Sequence, residues 1–537
     1  MTSLPPLHRL ALCPLARVAL ALITCFALLA PLPRALAATA ETPRLSQAER
    51  EALIQQLVAV GEEWFGIYVL GQKAGAMKTS SRLGEHEGRA TLFVTAWMRI
   101  HASIGANEVE REVQSERVYD LSAAGQLIAF REERIGDGGD ESLTGRCTSD
   151  GIELVRHPKG KEAQTHRLPA TRESLDSVLN ALLVLKAGNP ISYAVFDLET
   201  RMADKRVTMA FVGQKTVEIA GVPTPLNAFS ITEEDSRVSQ TILVREDGRT
   251  HEIHYGNVMT AKAEPREKAT EQGRIEVFGS TRVVLGGGSA SSGQRLSEQT
   301  RQAPSQVVYE LEGLPQNFWT PGTGQHFTPV VGAKDRVRLT VTAALPTKPL
   351  KLPLSVQFVQ EERLGEWLKP TLTVESEDPR IVALTKKTIG KSTDAFEVAK
   401  KLSRFVYRHL KKSYGVSSDR ATRVLDLKEG DCTEHALLFT SMARAAGIPA
   451  RRVNGLVYME ETDGIPSLYW HEWAEVFVGE WLPIDPTFDQ SVADAGHLAF
   501  GIEGQNDVAV LFGQLKVTVV RASKPGVKAS DSSEKAQ

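Results

Sequence analysis

The apolar residues of this chain change their period part-way along it, and that change limits the folds it can adopt. From Gly66 to Leu70, Thr91 to Ile100, Val207 to Val212, Thr216 to Ile219 and Thr241 to Val244 they alternate with polar residues, as in a half-buried strand, and Asp247-Gly248 marks a tight hairpin. From Asp378 the spacing becomes helical. Ile381 to Ile389 runs up to Gly390, and Thr393-Asp394 caps a segment carrying Phe396, Ala399, Leu402, Phe405 and Val406 on one face. The chain therefore reads as α+β, a β-rich N-terminal region followed by a part in which helices pack on strands.

Local signals refine this division. Ser46-Gln47-Ala48-Glu49 has the spacing of a capping box and opens a helix to about Val60. A second helix is expected behind Thr171, with Leu175, Val178, Leu179, Leu182 and Leu183 on one face and Gly188 as its stop. The run Gly286 to Gly293 holds only Gly, Ser and Ala and reads as a linker, after which Val307 to Leu311 and Val337 to Val341 alternate like strands. A helix is expected from Asp431, then strands at Ala450 to Tyr458, Tyr469 to Val478 and Trp481 to Asp485. The expected units are a leader over 1–37, a β-rich domain over 41–280, a linker over 281–305, a small β unit over 306–375, a helix-bearing domain over 376–521 and a disordered tail over 522–537.

Arg9 and Arg17 precede an apolar run from Val18 to Ala30, followed by Pro31, Pro33 and Ala35-Leu36-Ala37, the order of a secretory leader. The run is short against the roughly 20 residues of a membrane span. The mature protein is thus expected to be periplasmic or secreted, with no membrane span. Removing Arg9, Arg17 and Arg34 takes the formal net charge from -3 to -6. With no basic cluster interleaved with aromatics, the chain offers no footprint for a phosphate backbone, and no nucleic-acid partner is expected. Cys13 and Cys25 leave with the leader, so Cys147 and Cys432 remain, as one bridge or as two thiols. Cys147 lies in Gly145-Arg146-Cys147-Thr148, which reads as a polar loop, and a bridge to Cys432 is not expected.

Gly430-Asp431-Cys432-Thr433-Glu434-His435 puts a cysteine in the first turn of a helix, where free N–H groups and the positive dipole end favour a thiolate and can hold an oxyanion. A nucleophile needs a base, and His471 stands on a strand sharing a face with Trp473, Glu475 and Phe477. The base needs an orienter, and Asp485 on the next strand can accept from one imidazole nitrogen.

Gly430-x-Cys432, Gly447-Ile448-Pro449-Ala450-Arg451, His471-x-Trp473-x-Glu475-Val476 and Trp481 through Asp485-Pro486-Thr487 together resemble the transglutaminase-like core, over about residues 375 to 490. The resemblance implies a papain-like arrangement with the cysteine helix packed on an antiparallel sheet, Cys432 as nucleophile, His471 as base and acid, and Asp485 as orienter. It further implies acyl transfer at amide or peptide bonds through a thioester, hydrolytic as in a cysteine peptidase or amidase, with a protein or peptide as substrate. An amine acceptor would make the enzyme a cross-linking transglutaminase instead. Loss of turnover would leave a scaffold that works through its β-rich front half.

The triad sets a geometric condition. A two-residue loop at Gly479-Glu480 would turn Asp485 away from His471, whereas a three-residue loop, Val478 to Glu480, sets Asp485 across from Trp473 and diagonal to His471. An odd loop or bulge is therefore expected. Around the triad, His435 reads as a packing residue, Trp473 and Trp481 as stacked neighbours, Arg451 as a residue of the fold, and Asp431 as the cap of the cysteine helix. No metal is expected, since Glu475 stands where His471-Glu472 would need a second histidine and His251 and His254 point to opposite faces of a strand. No glycine-rich phosphate loop is present, and no cofactor is expected.

Overall fold

The computed structural model describes residues 46–523 apart from short internal segments, the longest of them 180–189 and 287–303. The leader, Asp247 of the expected hairpin, most of the helix expected behind Thr171, and the Gly/Ser run after Gly286 lie outside the described residues. Among the described residues no helix is long and apolar enough to cross a membrane.

Helix α1 (Gln47–Val60) begins where its capping box dictates, with Ser46 accepting from the Glu49 N–H and the Glu49 carboxylate returning to the Ser46 N–H. Its Leu53, Ile54 and Leu57 are buried against a 15-stranded sheet. Fourteen strands of that sheet form two antiparallel meanders, Glu63–Leu168 and Ile191–Ala263, joined where Glu63–Val69 pairs with Met259–Ala263, and the fifteenth, Ile275–Glu276, pairs in parallel with Arg89–Ile104. The two runs read separately as Val207 to Val212 and Thr216 to Ile219 are one strand, Ala203–Ile219, bulged between Phe211 and Gly213. Cys147 is not in a loop. It lies in the strand Glu141–Thr148, where a side chain at Gly145 would start 2.1 Å from the Phe130 ring.

A second, nine-stranded sheet carries the rest. Its strands are β1 (Val283–Gly286), β2 (Gln306–Glu312), β3 (Gln325–Pro329), β4 (Arg336–Thr342), β5 (Ala450–Met459), β6 (Ser467–Phe477), β7 (Trp481–Ile484), β8 (His497–Ile502) and β9 (Lys516–Ser523). Their spatial order is β3-β4-β2-β9-β1-β6-β5-β8, with β7 paired to β6. Residues 283–286, expected as the start of a linker, thus form a strand between β6 and β9. Strands β2 to β4 belong to the same sheet as β5 to β8, and β9 reaches Ser523, inside the segment read as tail.

Four helices, α2 (Pro379–Ile389), α3 (Ala395–His409), α4 (Ala421–Leu427) and α5 (Cys432–Ala445), cover β5 to β7. Asp378, Asp394 and Asp431 each cap a helix by accepting a first-turn N–H. Val398, Leu402, Leu437, Phe439 and Met442 pack with Val476 and Ile484 in the core beneath them. The two sheets share one apolar cluster running from Leu53 to Val519. A buried ion network also ties the front sheet to the segments ahead of α2 and α4: Glu141 of the front sheet meets Arg156 at 2.9 Å and Arg420 at 2.7 Å, and Arg156 lies 3.6 Å from Glu375.

Candidate active site

Cys432 is the first residue of α5, behind Asp431 as cap. Asp431 accepts from the Thr433 N–H at 2.9 Å, and Glu434 returns to the Asp431 N–H at 2.8 Å while also accepting from Ser418 at 2.8 Å. Glycine is required at 430, because a side chain there would start 2.3 Å from Glu434 Cβ. The capping box occupies the N–H groups on either side of Cys432, and among the described residues the Cys432 N–H has no partner. Cys432 is 1% exposed. Burial pushes its thiol well above the ordinary range, and Asp431, Glu472 and Glu434 add to this against the backbone N–H of Glu472, which bonds to the sulfur. The helix end, expected to favour a thiolate, is outweighed. The resting side chain is the thiol.

His471 lies on β6 beside this helix. Its Nε2 is 2.7 Å from Asp485 Oδ2, and its Nδ1 is buried with no hydrogen-bond partner among the described residues. The ring is held in a stack between Phe488, at 4.9 Å between centroids, and Trp473, at 5.9 Å. Asp485 reaches it because the β6–β7 connection is the odd loop the triad demands: Phe477 pairs with Trp481 and Ala474 with Ile484, leaving Val478 to Glu480 as the turn, with Gly479 at φ 110°. Asp485 Oδ1 accepts from the Thr487 and Phe488 N–H groups at 2.7 and 3.2 Å. Burial alone would raise this carboxyl, but the two histidines beside it hold it far below the usual range, so it is ionised.

The second histidine, His497 on β8, is absent from the sequence reading. Its Nε2 lies 3.1 Å from Asp485 Oδ2, and its Nδ1 lies 3.1 Å from Asp494 Oδ1. Burial would lower its pKa, but the bonds to Asp485 and Asp494 raise it to about 10. The one local signal was the spacing Asp494-Ala-Gly-His497, which lies beyond the stretch that carried the resemblance. Donor atoms of His471, Asp485 and His497 fall within 4.8 Å of one another. A divalent ion could occupy the trio only by displacing both imidazole protons from Asp485 Oδ2, so the distances are those of a hydrogen-bonded relay.

The other sequence candidates separate. His435 is buried, bonded through Nδ1 to the Asp431 carbonyl at 2.6 Å, and burial lowers its pKa to about 4. Arg451 pairs with Glu475 at 2.6 Å and lies 4.0 Å over the Trp481 ring. Trp481 packs edge-on to Phe477 and Trp367, whereas Trp473 packs against His471 and His497. Cys147 and Cys432 are both free thiols.

Residues 382–486 match the transglutaminase-like superfamily. This part of the chain is a transglutaminase-like core. No curated protein matches the sequence. Among solved structures, the chain is similar to the periplasmic domain of TgpA from Pseudomonas aeruginosa bound to ethylmercury, at 16% identity over 37% of this chain and 95% of that one, with a TM-score of 0.22. It is also similar to a β-barrel-like protein of DUF1849 from Brucella abortus, at 12% identity over 38% of this chain and 94% of that one, with a TM-score of 0.29. A candidate cysteine protease from Cytophaga hutchinsonii is similar at 17% identity over 40% of this chain and 81% of that one, with a TM-score of 0.26. The transglutaminase-like core of this chain thus follows a β-rich N-terminal region.

Proposed function

We propose that the transglutaminase-like core belongs to an exported cysteine-type acyl-transfer enzyme that hydrolyses amide or peptide bonds in a protein or peptide substrate. The observation that carries this reading is His471, whose Nε2 is fixed on Asp485 while its buried Nδ1 is left without a partner, next in the strand to Glu472, whose backbone N–H reaches the sulfur of Cys432 at a helix N-terminus. His471 Nδ1 takes the Cys432 proton as the sulfur attacks the carbonyl carbon. The oxyanion is held by the unpartnered Cys432 N–H. His471 then protonates the departing amine, leaving a thioester, and in the second half-reaction it deprotonates the water that cleaves the thioester and frees the acid. Water as acceptor fits a nucleophile that is 1% exposed, because it needs no second cleft wide enough for a lysine side chain. Export rests on the leader ending at Ala37 and is checked by N-terminal sequencing of the mature protein.

The test is trapping by an electrophilic peptide amide analogue, followed by mass spectrometry of the adduct. Labelling at Cys432 that disappears in His471→Ala supports the reading. A Cys432→Ala protein with unchanged turnover would sink it, and transfer of added primary amine in place of hydrolysis would reassign the acceptor.

A further inference from the structure

Four ionisable side chains run in one line, Asp494, His497, Asp485 and His471, the last three buried and Asp494 partly exposed, and the mechanism above uses only the last two. His497 is 4% exposed, and each of its ring nitrogens faces a carboxylate oxygen at 3.1 Å. A neutral imidazole carries one N–H and one lone pair, so one of those contacts would set a lone pair against an anionic oxygen. Both contacts are satisfied only when both nitrogens carry protons.

Asp494 is itself locked in place. It accepts from the Gly496 N–H and from Gln490 Nε2, each at 2.8 Å, and its own N–H is bound by Gln490 Oε1 at 2.8 Å. Gln490 in turn pairs through its backbone with Asp485, N–H to carbonyl in both directions at 2.9 Å. The turn that delivers Asp485 and the residue that holds His497 are therefore one hydrogen-bonded unit. On β5, Gly455 admits the His497 strand, since a side chain there would start 1.9 Å from the Leu498 carbonyl.

We propose that His497, held as an imidazolium by Asp494, is a positioning residue for the triad: it fixes the Asp485 carboxylate and keeps a permanent positive charge behind His471. This rests on the proposed triad. Its consequence is chemical as well as geometric. Asp485 shares its charge between two imidazoles, so it stabilises the His471 imidazolium less than a lone carboxylate would, and His471 becomes a stronger acid towards the departing amine. The two histidine rings lie 5.8 Å apart between centroids, so the charge acts directly on His471, and the same field favours a thiolate at Cys432.

The remaining ionisable groups around this line are fixed by the fold. Asp431, Glu434 and His435 come from α5, Glu472 with its partner Arg452 from β6 and β5, Lys412 from the strand beside Gly430, and Tyr309 and Tyr458 from β2 and β5 next to Asp494. Among the cations of this set, His497 is the one bonded to Asp485.

Two measurements on the full-length mature protein test the proposal. The first is nitrogen NMR of selectively labelled histidine side chains from pH 5 to 9, with the His497 signal assigned by its loss in His497→Gln. His497 should stay doubly protonated throughout, and Asp494→Asn should release one proton within that range. The second is the rate of Cys432 alkylation by iodoacetamide against pH. His497→Gln keeps an N–H donor for Asp485 but removes the charge, and both limbs of the profile should move up by roughly one pH unit. His497 titrating near 6.5 in the unaltered protein, or a His497→Gln profile that superimposes on the original, overturns the proposal. Alkylation that ignores His471→Ala sinks the triad instead, and the NMR titration still decides the state of His497. Asp494→Asn gives the same readouts if His497→Gln fails to fold.

Discussion

Arg420 and Glu141 meet at 2.7 Å although one stands ahead of helix α4 and the other in the front sheet. Their side chains are 9% and 2% exposed, and Glu141 also holds Arg156 at 2.9 Å and Arg134 at 3.6 Å. Two residues before Arg420, the Ser418 N–H bonds to Glu434, the residue that closes the capping box around Cys432. The front sheet is thus tied through a short chain of bonds to the helix carrying Cys432.

Glu141→Ala leaves Arg156 and Arg420 buried without their shared carboxylate. Removing one partner of a buried ion pair costs on the order of 3–5 kcal/mol. Denaturant unfolding followed by tryptophan fluorescence should show a loss of that size. A change within about 0.5 kcal/mol, the range of ordinary surface substitutions, would show that the network does not join the two halves.

Asp485→Asn keeps the shape of the orienter but offers Nε2 of His471 an amide in place of a carboxylate. Turnover should fall by about a thousandfold or more with little change in substrate binding, as a wrong tautomer or poor orientation of the base predicts. Asp485→Ala goes further. It strips the acceptor from two imidazoles and from the Thr487 and Phe488 N–H groups, and should lower stability by about 3–5 kcal/mol in thermal unfolding.

His497 and His435 shape the pH dependence of stability in opposite senses. The pKa of His497 is raised in the fold to about 10, so its contribution is complete below an unfolded value of about 6.5 and is lost as pH rises towards 10. The pKa of His435 is lowered to about 4, so its burial as the neutral form costs stability as pH falls from about 6.5 towards 4. Melting temperature against pH should decline on both sides of neutrality. His497→Gln should flatten the alkaline side alone, and an unchanged alkaline slope would contradict the bonding of His497 to two carboxylates.

Gly455→Ala places a methyl group 1.9 Å from the Leu498 carbonyl and 2.8 Å from the Trp473 ring. The β5–β8 pair must open there, at a cost of about 1–3 kcal/mol. Circular dichroism should retain the β signal while peptide turnover drops, because the shift carries His497 away from Asp485.

The parts of this fold that the sequence made readable are those written in short stretches. Asp378, Asp394 and Asp431 are caps, Gly390 is a stop, and all four mark helix ends in the structure. The turn at Val478 to Glu480 followed from asking on which face Asp485 must stand, and the register bears this out. What stayed hidden depends on pairing between distant segments. His497 reaches Asp485 only because β8 pairs with β5, which also pairs with β6, and no local pattern encodes that order. Gly145 beside Cys147 looked like a loop residue, yet it is a strand position left bare so that the Phe130 ring can lie against it. Gly213 likewise hid the continuity of a long strand behind a bulge.

Strand β9 is made after every other strand of its sheet, yet it lies in the interior, paired with β2 on one side and with β1 on the other. A nascent chain that has not yet delivered Lys516 to Ser523 holds the cysteine helix without the strand that links β1 and β6 to the remainder of the sheet. Closure of the sheet on which the Cys432 helix packs therefore waits on residues about ninety positions downstream of that cysteine. A chain that ends before Lys516 leaves the facing edges of β1 and β2 without their shared neighbour.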